Sequence, residues 1–155
     1  MLNEVCLEIR NFFDRDLPKI FGEITISEGS IVNADFLSVI KENQYFRIVG
    51  SVFNDGVYQY TSELKLTDEV FDGAIWLMRV PRDFLTLVAE IEDWQAKYGV
   101  VGNDAMSPFN SESFGGYSYS KSGGSASGDG SSSGGASWQA AYATRLKAYR
   151  RARII

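Results

Sequence analysis

The sequence predicts an α+β protein: a short antiparallel β-barrel or sheet module over about 19–80, flanked by two helices, with an extended C-terminal arm ending in a helix. Three observations predict it. Apolar residues recur at helical spacing near the N-terminus and again after Pro81. Between these segments they alternate with polar residues, the period of a half-buried strand. At 122–137 the pattern stops, and 13 of 16 residues are Gly or Ser.

The first helix is expected over 2–13. Leu2, Val5, Cys6, Ile9 and Phe12 fall on one face, and the segment Asp14 to Pro18 breaks it. Cys6 lies on that apolar stripe, which reads as a buried structural thiol. From Lys19 the period changes to two, with Ile20, Ile24 and Ile26 alternating with Glu23, Thr25 and Ser27. Asn33 to Ile40 reads as a helical turn capped by Asn33. Residues 45–53 and 57–61 are rich in Tyr, Phe, Val and Ile, and Asn54-Asp55-Gly56 between them predicts a tight hairpin. Two more strands are expected at Leu64–Leu66 and Ala74–Val80, separated by Asp68–Gly73.

Pro81 opens the second helix, where its missing N–H is harmless. Phe84, Leu87, Val88, Ile91, Trp94 and Tyr98 share one face, and Gly99 follows as the C-cap. Residues 111–121, SESFGGYSYSK, read as an extended aromatic segment. The Gly/Ser stretch 122–137 cannot bury a core and is expected to act as a flexible linker with a mean span of roughly 20–24 Å. Trp138 to Arg153 is again helical, with Trp138, Tyr142, Leu146 and Tyr149 in a narrow stripe. These are too few apolar groups for a core and suit a docking face. The expected organisation is therefore a body at 1–106, an aromatic segment at 107–121, the linker at 122–137 and a basic aromatic helix at 138–155.

Charge is split along the chain. The net charge is −5, yet 138–155 carries five basic residues (Arg145, Lys147, Arg150, Arg151 and Arg153) and no acid. The rest holds 10 basic and 20 acidic residues. A basic tail on an acidic body points to a second partner, an acidic protein surface or a nucleic acid, or to a helix end that suits its dipole. For docking on protein, Trp138, Tyr142, Leu146 and Tyr149 supply the anchor, and Arg145, Lys147, Arg150 and Arg151 pair with acids around it.

Composition excludes several function classes. The chain has 155 residues, no histidine and one cysteine, which removes imidazole acid–base chemistry, Cys/His zinc sites and an intramolecular disulfide. No apolar run approaches the roughly 20 residues of a membrane span. The opening MLNEVCLEIR lacks the basic and apolar regions of a signal peptide, so a soluble cytoplasmic product is expected. Ser38-Val39-Ile40-Lys41 matches S-x-x-K, but the companion motifs of serine acyl enzymes are missing. The Gly128–Gly135 region has the glycines of a phosphate loop without its spacing. Two acid clusters, Glu90/Glu92/Asp93 and Asp68/Glu69/Asp72, read as solvated or partner-facing surface. No enzyme activity, cofactor or metal is expected.

The segment Ser111-Glu112-Ser113-Phe114-Gly115-Gly116-Tyr117-Ser118-Tyr119 resembles a signature of the head–tail connector (adaptor) proteins of tailed bacteriophages, with Phe114 in place of an aliphatic residue and Gly116 in place of an acid. The order of a short helix, a longer helix ending near Gly99, the signature and then an arm is similar to connectors from phages and prophages of Gram-positive bacteria. The segment Ile48–Tyr58 resembles small β modules of phage structural proteins. The resemblance implies a non-enzymatic virion protein at the neck, assembled in the bacterial cytoplasm. It implies a ring, often of twelve copies, that sits below the portal, extends the DNA channel without specifically binding DNA, and meets the next neck or tail protein. Stopper and tail-completion proteins of the neck, and a small nucleic-acid-binding protein using the C-terminal helix, are the alternatives. Ser111, Phe114, Gly115, Tyr117 and Tyr119 are the expected assembly segment.

Overall fold

The computed structural model describes residues 1–98, 111–114, 117–120 and 137–151, with backbone alone described at 111–114 and 117–120. It is α+β, and it divides into two compact units. One holds Met1–Val88 with the chain from Lys147 onward; the other holds Ala89–Leu146.

The first unit is built on a curled, five-stranded antiparallel sheet in the order β2-β1-β5-β3-β4. Its strands are β1 (Lys19–Ser27), β2 (Ser30–Ile31), β3 (Tyr45–Val49), β4 (Gly56–Gln59) and β5 (Glu69–Met78). The sheet is open, with β2 and β4 at its edges. Alternation along the strands gives it two apolar faces. One carries Ile24, Ile26, Phe46, Ile48, Phe71, Ile75 and Leu77, closed over by Ile31, Leu66 and Phe36. Phe36 lies in α2 (Ala34–Val39), a turn capped as expected by Asn33, whose Oδ1 accepts from the Phe36 N–H at 3.0 Å. Its ring meets Phe46 and Tyr60 edge-on, at 5.1 and 5.8 Å between centroids.

On the other face Ala74 and Met78 are buried. So are Val5, Cys6 and Ile9 of α1 (Leu2–Ile9), and Phe84, Leu87 and Val88 of α3 (Arg82–Tyr98). The Arg47 guanidinium sits 3.8 Å from the Phe12 ring centroid and 5.2 Å from that of Trp76, and the Lys19 ammonium lies 4.5 Å from Trp76. These cation–π contacts accommodate charge beside an otherwise apolar layer. No helix among the described residues is long and apolar enough to cross a membrane.

Several local expectations are corrected. The first helix stops at Ile9 and does not reach 13, because Arg10 turns left-handed (φ 54°) and Phe13 does so again (φ 52°). Asn54-Asp55-Gly56 does not make a tight turn. β3 ends at Val49 and β4 starts at Gly56, so six residues separate them, and Val49 pairs with Ala74 instead. Residues 64–66 are not a strand, although the Leu66 N–H donates to the Gly29 carbonyl. The expected turn Asp68–Gly73 is mostly strand: β5 begins at Glu69 and pairs with β1 from Glu69↔Ile26 through Trp76↔Lys19. Gly73 permits this. A Cβ there would lie 2.3 Å from the Val49 carbonyl oxygen and 2.8 Å from the Phe71 ring, so only glycine fits where β3 crosses close to β5.

In the second unit, residues 111–121 are not one extended run. β6 (Ser111–Phe114) pairs antiparallel with β7 (Tyr117–Ser120), from Ser111↔Ser120 to Phe114↔Tyr117. α4 (Trp138–Lys147) carries most of the expected C-terminal helix but ends six residues short of Arg153. The expected linker, apart from Ser137, and the Gly99 cap lie outside the described residues.

Candidate functional site

Five of the residues expected to dock on a partner, Tyr142, Arg145, Tyr149, Arg150 and Arg151, have partners within their own units. In the second unit, Tyr142 and Arg145 on α4 meet Glu90 and Trp94 on α3. The Tyr142 ring stands edge-on to Trp94 at 6.4 Å, and its hydroxyl donates to the Glu90 carbonyl at 3.3 Å. The Arg145 guanidinium pairs in fork fashion with the Glu90 carboxylate. This hydrogen bond holds the Glu90 carboxyl below its ordinary pKa. Trp138 and Leu146 are buried, whereas Lys147 is exposed.

In the first unit the chain after α4 lies along the loop that follows α1. The Tyr149 ring packs on Phe84 at 4.9 Å and nears Phe13 at 6.5 Å, and its hydroxyl donates to Asp83 at 3.1 Å. Asn11 Nδ2 donates to the Tyr149 carbonyl, and the Arg151 N–H donates to that of Ile9. Arg150 pairs with Glu8 at 3.2 Å. Arg151 reaches Asp14 at 3.4 Å, where Lys19 also binds at 2.6 Å. Asp14 is buried. Burial pushes its carboxyl up, but the Lys19 hydrogen bond, a backbone hydrogen bond and the charges of Lys19 and Arg151 outweigh that and leave it below its usual value. The sequence leads one to expect these aromatic and basic groups on another chain, and it does not point to Glu8, Asn11, Phe13, Asp14 or Asp83 as receivers within this one.

Of the assembly segment, Ser111, Phe114, Tyr117 and Tyr119 are placed in the β6/β7 hairpin, and Gly115 lies outside the described residues. The acid clusters dissolve into separate roles. Glu90 holds Arg145, while Glu92 and Asp93 are exposed. Asp68 accepts from the Gly29 N–H at 2.8 Å. Ser38 of the S-x-x-K match donates to the Asp35 carbonyl within its own turn. Burial pushes the Cys6 thiol up to about 12, against the lowering effect of Arg47, so the sulfur stays protonated. Among the described residues no three His, Cys, Asp or Glu side chains are grouped to hold a metal.

Glu69 organises a feature that sequence reading missed. The loop 50–55 joins β3 to β4 and is tied at nearly every residue. Glu69 accepts from the Ser51 hydroxyl, from the Val52 N–H at 2.9 Å and from Asn54 Nδ2 at 3.1 Å. Asn54 is buried and exchanges two hydrogen bonds with the Thr67 backbone, and Asp55 accepts from the Gly50 N–H. The Ser51 hydrogen bond leads the effects that hold the Glu69 carboxyl below its ordinary value. This frame presents Val52 (81% exposed) and Phe53 (68% exposed) to solvent. Both had read as strand, since Val and Phe carry strand propensity wherever they occur. At the other end of β3 and β5 lies an open groove of about 700 Å³, with Leu17, Val39, Leu77, Met78 and Leu85 in its lining and the exposed Lys41, Arg79 and Arg82 along it.

The chain matches no known family, no curated protein and no solved structure.

Proposed function

We propose that the chain is a structural protein of a tailed-phage virion, a connector that forms a ring between portal and tail and prolongs the DNA channel. The observation that carries this reading is the SESFGGYSYS segment, which resembles the connector signature and stands in the chain after a 17-residue helix and before the arm. Its two halves pair as β6 and β7. An acidic body supports the same reading, because a conduit for duplex DNA works best when its wall does not grip phosphate. The nucleic-acid alternative loses ground from the arm itself. Arg145, Arg150 and Arg151 each face an acid of this chain, so their charge is already offset.

The test is an image of particles from the encoding genome, with this chain labelled at its N-terminus. Density at the head–tail junction, in several copies around the axis, is the expected result. Label on the capsid shell, along the tail tube or absent from particles overturns the proposal.

A further inference from the structure

The loop 50–55 and the groove at the far end of the same strands are both apolar and opposite in charge. We propose that they bind one another between two copies of this chain, head to tail. Val52 and Phe53 of one copy enter the groove lined by Leu17, Val39, Leu77 and Met78 of the next.

The argument starts from the cost of the loop. Surface loops are usually mobile, and two large apolar side chains at 81% and 68% exposure gain nothing from being held in water. Here a buried Asn54, the Glu69 carboxylate and Ser51 hold the backbone in one conformation. A rigid apolar projection is preorganised, and preorganisation lowers the ordering cost of binding. Val70, next to Glu69 in β5, adds a third exposed apolar group at 62%.

Charge selects a second copy as the occupant. The projection is edged by acids: Asp55 in the loop, and Asp72 on β5 opposite Glu23 on β1. The groove carries Lys41, Arg79 and Arg82 against the single acid Glu42. None of these three cations has an ion pair among the described residues. An acidic apolar knob and a basic apolar groove on one chain are therefore matched to each other.

Placement decides the kind of assembly. Val70 is the second residue of β5 and Met78 the last, so knob and groove are separated by roughly 27 Å of strand at about 3.4 Å per residue. A projection that fits a pocket elsewhere on the same molecule makes a heterologous contact, which propagates into a ring when its rotation closes. Ring closure rests on the connector reading; the contact itself does not.

The experiment uses the full-length chain in sedimentation velocity over a concentration series, with circular dichroism to confirm folding. Wild type is expected to assemble. Phe53→Asp, which alters only an exposed side chain, and the double variant Arg79→Glu with Arg82→Glu are each expected to weaken self-association by at least about 30-fold. Mixed one to one, they retain one intact knob and one intact groove between them, and dimers with nothing larger are expected. The proposal is overturned if wild type stays monomeric, if either folded variant assembles like wild type, or if the mixture stays monomeric. Two results separate this inference from the connector reading. Normal rings of Phe53→Asp at the virion neck sink the contact alone. Head-to-tail assembly of a chain absent from the neck sinks the connector reading alone.

Discussion

Replacing Tyr149 by Ala tests whether the C-terminal segment belongs to the first unit or is a free arm. The ring lies 4.9 Å from Phe84 and 6.5 Å from Phe13, each pair contributing about 0.5–1.5 kcal/mol beyond burial. Tyr149 is mostly buried, so about 130 Å² or more of a side chain of roughly 200 Å² leaves water, and that contributes about 3 kcal/mol. Part of this area stays with the Ala methyl, and the wider Phe13 pair sits at the weak end of the range. A loss of about 3 kcal/mol follows, which lowers the melting temperature by roughly 6–12 °C in a chain of this length. Tyr149→Phe keeps both ring contacts and removes only the exposed hydroxyl bond to Asp83, so its cost stays below about 1 kcal/mol. Thermal melts give the first readout. Amide exchange at Arg151, whose N–H donates to the Ile9 carbonyl, gives the second and accelerates in Tyr149→Ala. Tyr149→Ala within about 0.5 kcal/mol of wild type, with unchanged exchange at Arg151, refutes the reasoning and returns the segment to the status of a free arm.

Three further outcomes are expected. Glu28 and Gly29 form the two-residue turn between β1 and β2 with φ of 54° and 75°, so Glu28→Asn raises stability by about 0.5–1 kcal/mol in urea titration, since Asn tolerates the left-handed region that Glu resists. The Asp14 carboxyl is held below its ordinary 3.8, so its contribution to stability is complete above about pH 4 and is lost as pH falls through the lowered folded value; Asp14→Asn flattens that acid limb. Cys6 acts on the other limb: its folded pKa of about 12 stands above the ordinary 9.0, so stability is complete below pH 9 and falls as pH rises beyond it, and Cys6→Ala removes that slope.

What the sequence made legible was local. The Asn33 cap, the start of α3 just after Pro81 and the α1 stripe of Val5, Cys6 and Ile9 each depend on residues a few positions apart. The turns were harder. Asn54-Asp55-Gly56 carries the stronger hairpin signature, yet the tight turn is Glu28-Gly29, because strand pairing fixed the register and Glu69 held the other loop open. Glu69 and Asp72 resemble turn residues, but they lie in a strand whose place depends on β1, more than 40 residues earlier. Aromatic spacing and charge in the C-terminal segment point to docking on another chain. They do not mark the receivers within this one, since the chain offers 20 acids and only folding brings Asp14, Glu8 and Glu90 to that segment's cations.

The distribution of offset and unpaired charge connects the proposals. The arm is basic in sequence, yet Arg145, Arg150 and Arg151 face Glu90, Glu8 and Asp14. The cations without an ion pair include Lys41, Arg79 and Arg82 along the groove, far from the arm in sequence. Opposite them in sign, Glu23 and Asp72 stand directly across from one another on an exposed sheet face, an arrangement that costs a fraction of a kcal/mol in the isolated chain. A head-to-tail neighbour that brings its groove to this face would relieve that repulsion and satisfy its own cations at once. In a ring built this way, neutralised joints with acids remaining elsewhere would repel a passing phosphate backbone while the subunits hold one another. On the connector reading, such a head-to-tail contact would supply cohesion without requiring a basic surface toward the DNA.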